Sequence, residues 1–170
     1  MAPITTLQVF KNILPHICDR ETSQDPDGWT PQNPLWAHCA KVSVLAHALF
    51  GGDIIVSVII APRKFKSVRH YRNIFPDGIV EDFTSDQFGN APLKFQNERR
   101  ITNSVLHLRI ENSRRYKLLA FRMAKAVVAR LSIQPEKTDE IHPRVDRTSC
   151  IELRLLRKLV ERYGEITGGS

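Results

Sequence analysis

Leu7, Phe10, Ile13, Leu14 and Ile17 recur at intervals of three and four along ITTLQVFKNILPHIC, residues 4–18. That spacing puts apolar side chains on one face of a helix. Thr5 or Thr6 is placed to cap it, and Pro15 predicts a kink, because proline lacks the N–H that the helical ladder uses. A polar stretch rich in Pro, Asp and Gly follows from Asp19 to Pro34, interrupted by Trp29. A second helix is expected from about Trp36 to Phe50, with Val42, Leu45, Ala46 and Leu49 inward and Gly51-Gly52 as its stop. The period then changes. DIIVSVIIA, residues 53–61, is a β-branched run of the kind that forms a buried strand. Two further strands are expected over about Ser67–Phe75 and Ile79–Phe83, joined by Pro76-Asp77-Gly78, which has the chemistry of a hairpin turn. Ser113 can cap a helix from Arg114 to about Leu131, with Tyr116, Leu119, Met123 and Val127 at helical spacing. After Pro135 and Pro143 a last helix is expected over about Ser149–Tyr163.

Helix, strand, hairpin and helix in that order predict one α+β domain, an antiparallel sheet packed on the second helix with helical additions at both ends. Its body is expected over residues 1–134, with 135–170 a linker and C-terminal helix packed on it. A length of 170 residues suits a single core. No apolar run approaches the ~18 residues of a membrane span. Lys11, His16, Asp19 and Arg20 break up the first twenty residues, so no secretory signal is expected. Three cysteines, Cys18, Cys39 and Cys150, are an odd number at wide spacing. They form no disulfide framework, which points to a reducing compartment and a cytoplasmic protein. The net charge of +7 admits an acidic protein or nucleic acid as partner. Its carriers are dispersed, however. Arg99-Arg100 and Arg114-Arg115-Lys117 read as solvated helix faces, and aromatics at 8% offer few stacking platforms.

The candidate chemistry begins with Cys39, in the first turn of the second helix after a Pro-containing loop. A helix N-terminus and a neighbouring imidazolium both favour thiolate, so this is a place for a nucleophile. A nucleophilic thiol needs a base, and the base needs an orienting group. His70 on the second strand and Asp82 on the third are the candidates. If Pro76-Asp77-Gly78 is a three-residue loop with Gly78 left-handed, paired residue numbers across the hairpin sum to 154. His70 and Asp82 are then diagonal neighbours on one face. A two-residue loop would make the sum 155 and separate them. The Cys39 N–H is one candidate oxyanion donor, with Asn33 favoured over Gln32 as a second. His38 reads as a helix-start residue, because adjacent helical side chains point apart. Zinc on His38, Cys39, His70 and Asp82 lacks a close-spaced ligand pair, so neither metal nor other cofactor is expected. Trp29 and Trp36 are core lids or pocket walls, while Asn73 and Gln87 read as structural polar groups near the site.

The segments NPLWAHCAKVSVLAHALFGGDI and RHYRNIFPDGIVEDFTSDQFG, followed by Arg115-Tyr116, Leu119 and Arg122, resemble the bacterial YunG-like proteins over about residues 29–130. These share, in order, an Asn-Pro, a helix-opening Cys, a Gly-Gly, a His-Tyr-x-Asn and an Asp-x-Thr-x-x-Gln-Phe. The order of Cys, His and Asp is also similar to transglutaminase-like and papain-like enzymes. The resemblance implies a papain-like α+β fold and a Cys39–His70–Asp82 triad attacking an amide, thioester or related acyl carbon of a protein or small molecule. Where the family commonly has Gly-Gln before the cysteine, this chain has Ala37-His38. That departure supports the alternative, an inactive protein of the same fold that binds an acidic protein or nucleic acid. Oligomeric state and substrate are left open at this level.

Overall fold

The computed structural model describes residues 6–60, 68–90, 92–101, 109–132 and 157. In chain order the elements are α1 (Thr6–Ile17), α2 (Cys39–Phe50), β1 (Asp53–Ile60), β2 (Val68–Ile74), β3 (Val80–Glu81), a 3-10 helix (Ser85–Phe88), β4 (Lys94–Ile101) and α3 (Arg114–Ser132). The fold is α+β, with a four-stranded sheet in the order β3-β2-β1-β4 and every pairing antiparallel. The described residues divide into two compact units. One is Cys18–Leu118; the other joins Met1–Ile17 to Leu119–Ser170. The boundary expected at 134/135 and the helix expected at 149–163 lie outside the described residues.

In the second unit, α1 buries Val9, Phe10, Ile13, Leu14 and Ile17, the stripe its spacing predicts, and runs through Pro15 to Ile17. Arg122 of α3 donates to the Ile17 carbonyl at 3.3 Å, and Leu119, Ala120, Met123 and Val127 are buried.

The larger unit is built around β1, whose β-branched run places it between β2 and β4. Ile54 and Ile59 are completely buried. Helix α2 packs on β1 and β2 and buries Val42, Leu45, Ala46 and Leu49. The return from α2 into the sheet needs glycine at 52. Its φ is +78°, and a Cβ there would meet the Ile74 carbonyl oxygen at 2.2 Å. The hairpin has the three-residue loop. Asn73 pairs with Glu81 and Ile74 with Val80, Phe75 donates to Ile79, and Gly78 takes φ +83°.

Three expectations are corrected. Helix α2 begins at Cys39, not Trp36, because Ala37 has φ +57° and breaks any helical run through it. The first helical bond is Val42 N–H to the His38 carbonyl at 2.9 Å. Arg99 and Arg100 lie on strand β4, not on a helix, and are exposed there. The third strand is also shorter than expected, because Asp82 and Thr84 turn the chain into the 3-10 helix. Ser113 does cap α3, accepting from Tyr116 N–H at 3.2 Å.

Ala37 pays a steric cost in the left-handed region that glycine avoids, about 1 kcal/mol before the greater unfolded-state freedom of glycine is offset. Ala37→Gly is therefore expected to raise the unfolding free energy by about 0.5 kcal/mol. A urea titration checks this, and a fall in midpoint would mean that the methyl group packs usefully.

Candidate functional site

Cys39 is the first residue of α2 and is only partly buried, so its sulfur lies at the positive end of the helix dipole. The loop before it is held by its own polar groups. Trp36 donates its indole N–H to Asp25 at 2.9 Å, and Trp29 donates to the Pro34 carbonyl at 3.0 Å. The two tryptophans thus staple the loop. His38 is fully buried. Its Nδ1 lies 2.9 Å from the Trp36 carbonyl, which can only accept, so Nδ1 carries the proton. Nε2 then accepts from the Thr22 hydroxyl at 2.8 Å. Burial, and after it the Lys41 charge, lower the His38 pKa to about 4, which keeps the ring neutral. With both nitrogens engaged, His38 anchors the helix start and has none left for the thiol.

The hairpin register brings His70 and Asp82 together. His70 Nε2 donates to Asp82 Oδ2 at 2.7 Å, with the ring wholly buried and the carboxylate slightly exposed. Asp82 is in turn oriented by the Thr84 N–H, which donates to Oδ1 at 3.1 Å. The His70 ring lies between Phe88, edge-on at 5.1 Å, and Phe95, stacked at 6.2 Å. Its Nδ1 is buried and has no well-formed hydrogen bond among the described residues. The Cys39 thiol is nonetheless close enough to act on the ring, while Asp82 holds Nε2. Burial alone would lower the His70 pKa. The hydrogen bonds and charges of Asp82 and Cys39 outweigh it and raise the value to about 9. The imidazolium is therefore the resting form near neutrality.

Gln87, read from sequence as a structural polar group, ties the two halves of this arrangement together. Its Oε1 accepts from Ala37 N–H at 3.2 Å, its Nε2 donates to the Thr84 carbonyl at 2.9 Å, and its own carbonyl accepts from Asn33 Nδ2 at 3.0 Å. The backbone on either side of Cys39 and Asp82 is thus locked through one buried amide. Asn33 commits one amide hydrogen to that lock, and Gln32 is exposed on the same loop. Asn73 braces α2 to the sheet by donating to the Ser43 carbonyl at 2.9 Å.

Two residues near the site went unnoticed in the sequence. Ser57 lies directly across from His70, at the point where the β1–β4 register slips, and its buried hydroxyl has no partner among the described residues. Its signal was a single polar residue within a β-branched run. Lys41 is 3% exposed, and its ammonium donates to Gln24 Oε1 at 3.3 Å. Burial lowers its pKa to about 8; Cys39 opposes the shift and Arg115 adds to it. Among the described residues no group of three or more His, Cys, Asp or Glu side chains is placed to hold a metal ion. No described helix is long and apolar enough to cross a membrane.

Fold and site together define an α+β protein with a Cys–His–Asp group set between a helix start and an antiparallel hairpin. The family model described as YunG protein matches residues 6–128, and the chain belongs to that family. No curated protein and no solved structure matches it.

Proposed function

We propose that the protein is a papain-like, thiol-dependent acyl-transfer enzyme or hydrolase in which Cys39 is the nucleophile, His70 the acid and base, and Asp82 the orienting group. The observation that carries this reading is the division of labour on the His70 ring. Nε2 is given to a carboxylate and Nδ1 is left buried without a partner among the described residues, on a ring close enough for the thiol at the helix N-terminus to act on it. The Cys39 thiolate attacks the acyl carbon, and the carbonyl electron pair moves to oxygen. The Cys39 backbone N–H, with the Asn33 or Gln32 amide, stabilises that oxyanion. His70 gives its Nδ1 proton to the leaving group as the tetrahedral intermediate collapses to a thioester. Water or an amine, deprotonated by the now neutral ring, then releases the acyl group.

The test is incubation with p-nitrophenyl acetate followed by intact-mass and peptide analysis. One acetyl group per chain on Cys39, with a burst of p-nitrophenolate that Cys39→Ala abolishes, is the expected result. Acetylation spread over lysines and indifferent to Cys39→Ala would defeat the proposal. The second reading, an inactive binder of an acidic protein or nucleic acid, draws on Arg69 of β2 and Arg99 and Arg100 of β4, exposed on the two strands that flank β1. It gives no reason for a buried imidazolium beside a thiol.

A further inference from the structure

A cavity of about 590 Å³, lined by Glu21, Gln24, Ser113, Arg114, Arg115 and Leu118, opens within the Cys18–Leu118 unit. Its volume is that of a small-molecule site. It adjoins the nucleophile loop through Gln24, whose N–H donates to the Ala37 carbonyl at 3.1 Å and whose side chain accepts from Lys41. Charge is what distinguishes it. Two arginines line it against the single carboxylate of Glu21, and the buried Lys41 ammonium, bonded to Gln24 of its wall, lies close enough for the Arg115 charge to act on it. Lys41 is 3% exposed, yet its hydrogen-bond acceptor is a neutral amide, and no carboxylate lies within ion-pair distance among the described residues. Buried charges are ordinarily paired, so positive charge is in excess here. The start of α3 at Ser113-Arg114 adds its dipole in the same sense.

We propose that this cavity receives a carboxylate carried by the acyl substrate, so that the enzyme acts on small acidic acyl compounds. The assignment rests on the acyl-transfer reading of Cys39. Arginine's fork matches a planar carboxylate in a bidentate pair. Glu21 on the wall sets a limit of one added negative charge and disfavours a phosphate dianion. The substrate's carboxylate engages Arg115 and Arg114, and its reactive carbonyl extends past Gln24 toward Cys39.

Binding of glutarate and of its neutral isostere glutaramide to the full chain, by ligand-observed NMR, tests the site. Glutarate is expected to bind at least tenfold more tightly than glutaramide. Arg115→Gln should weaken glutarate about tenfold, the worth of one charge-assisted hydrogen bond. Lys117→Gln removes the same charge from an exposed position of the same helix outside the cavity and should leave binding unchanged. If Arg115→Gln does not melt cooperatively, the exposed Arg114→Gln takes its place. Equal affinity for the two ligands, equal binding by the arginine variant, or an equal loss in Lys117→Gln overturns the proposal. Arginine-dependent glutarate binding in a chain that p-nitrophenyl acetate does not label at Cys39 upholds the anion site and overturns its tie to acyl transfer. Labelling at Cys39 without such binding does the reverse.

Discussion

His70→Ala slows alkylation of Cys39 by iodoacetamide at neutral pH by at least about tenfold, the loss expected when a thiol gives up its charged partner. The measurement is made with Cys18 and Cys150 replaced by serine, so that one thiol reports. The effect is electrostatic. Asp82 and Cys39 together raise the His70 pKa to about 9, so at pH 7 the ring carries a positive charge beside the sulfur. Removing the ring leaves the helix dipole, worth about 1 kcal/mol or less at a partly exposed site, and the more distant Lys41 ammonium to favour thiolate. The sign of the pH dependence follows. A raised pKa means that the pair's contribution to stability is fully present below about 6.5, the unfolded value of histidine, and is lost as pH rises through about 9. Acyl transfer needs His70 to donate a proton, so activity should fall on the same alkaline limb, near pH 9. Asp82→Asn keeps the shape but removes the charge, and should move that limb toward neutrality. Alkylation rates unchanged by His70→Ala would mean that the ring does not act on Cys39, and the catalytic reading would fail with them.

How much of this was legible beforehand depends on whether the signal was local. The hairpin was, because Pro76-Asp77-Gly78 allows few loops, and the left-handed Gly78 settles the register that puts His70 beside Asp82. The inward face of α2 was legible for the same reason. Strand β4 was not. KFQNERRI is an edge strand with one neighbour, its burial is slight, and its charged residues face solvent, so no alternation marks it. The start of α2 was missed because alanine at φ +57° leaves no trace in propensity. Gln87 was recognised as polar, but its task lies in contacts 50 and 54 residues away, which no local pattern encodes. The cationic cavity is likewise non-local, drawing Gln24 and Arg115 from opposite ends of the larger unit.

The second large effect is acid destabilisation through His38. The ring is completely buried, with Nδ1 donating to Trp36 and Nε2 accepting from Thr22. Protonation would give Nε2 a hydrogen, force the Thr22 hydroxyl to turn away, and place a charge in a dry site near Lys41. Burial, then Lys41, accordingly hold the pKa at about 4. Because the folded value is depressed, the contribution is present above the unfolded value of about 6.5 and is lost as pH falls toward about 4. The difference corresponds to on the order of 3 kcal/mol. Lys41, whose pKa is lowered to about 8, titrates in the alkaline range and does not enter this window. His38→Gln offers one acceptor and one donor to the same partners without a titrating group. Urea titrations from pH 7 to 4 should therefore show wild type losing on the order of 3 kcal/mol more than the variant. Parallel curves would mean that His38 opens to solvent before it protonates. The loop holding Cys39 at the helix start would then be less fixed than its hydrogen bonds imply. A steeper wild-type curve, with Cys39 alkylation falling over the same pH range, would tie that anchoring to the reactivity of the thiol.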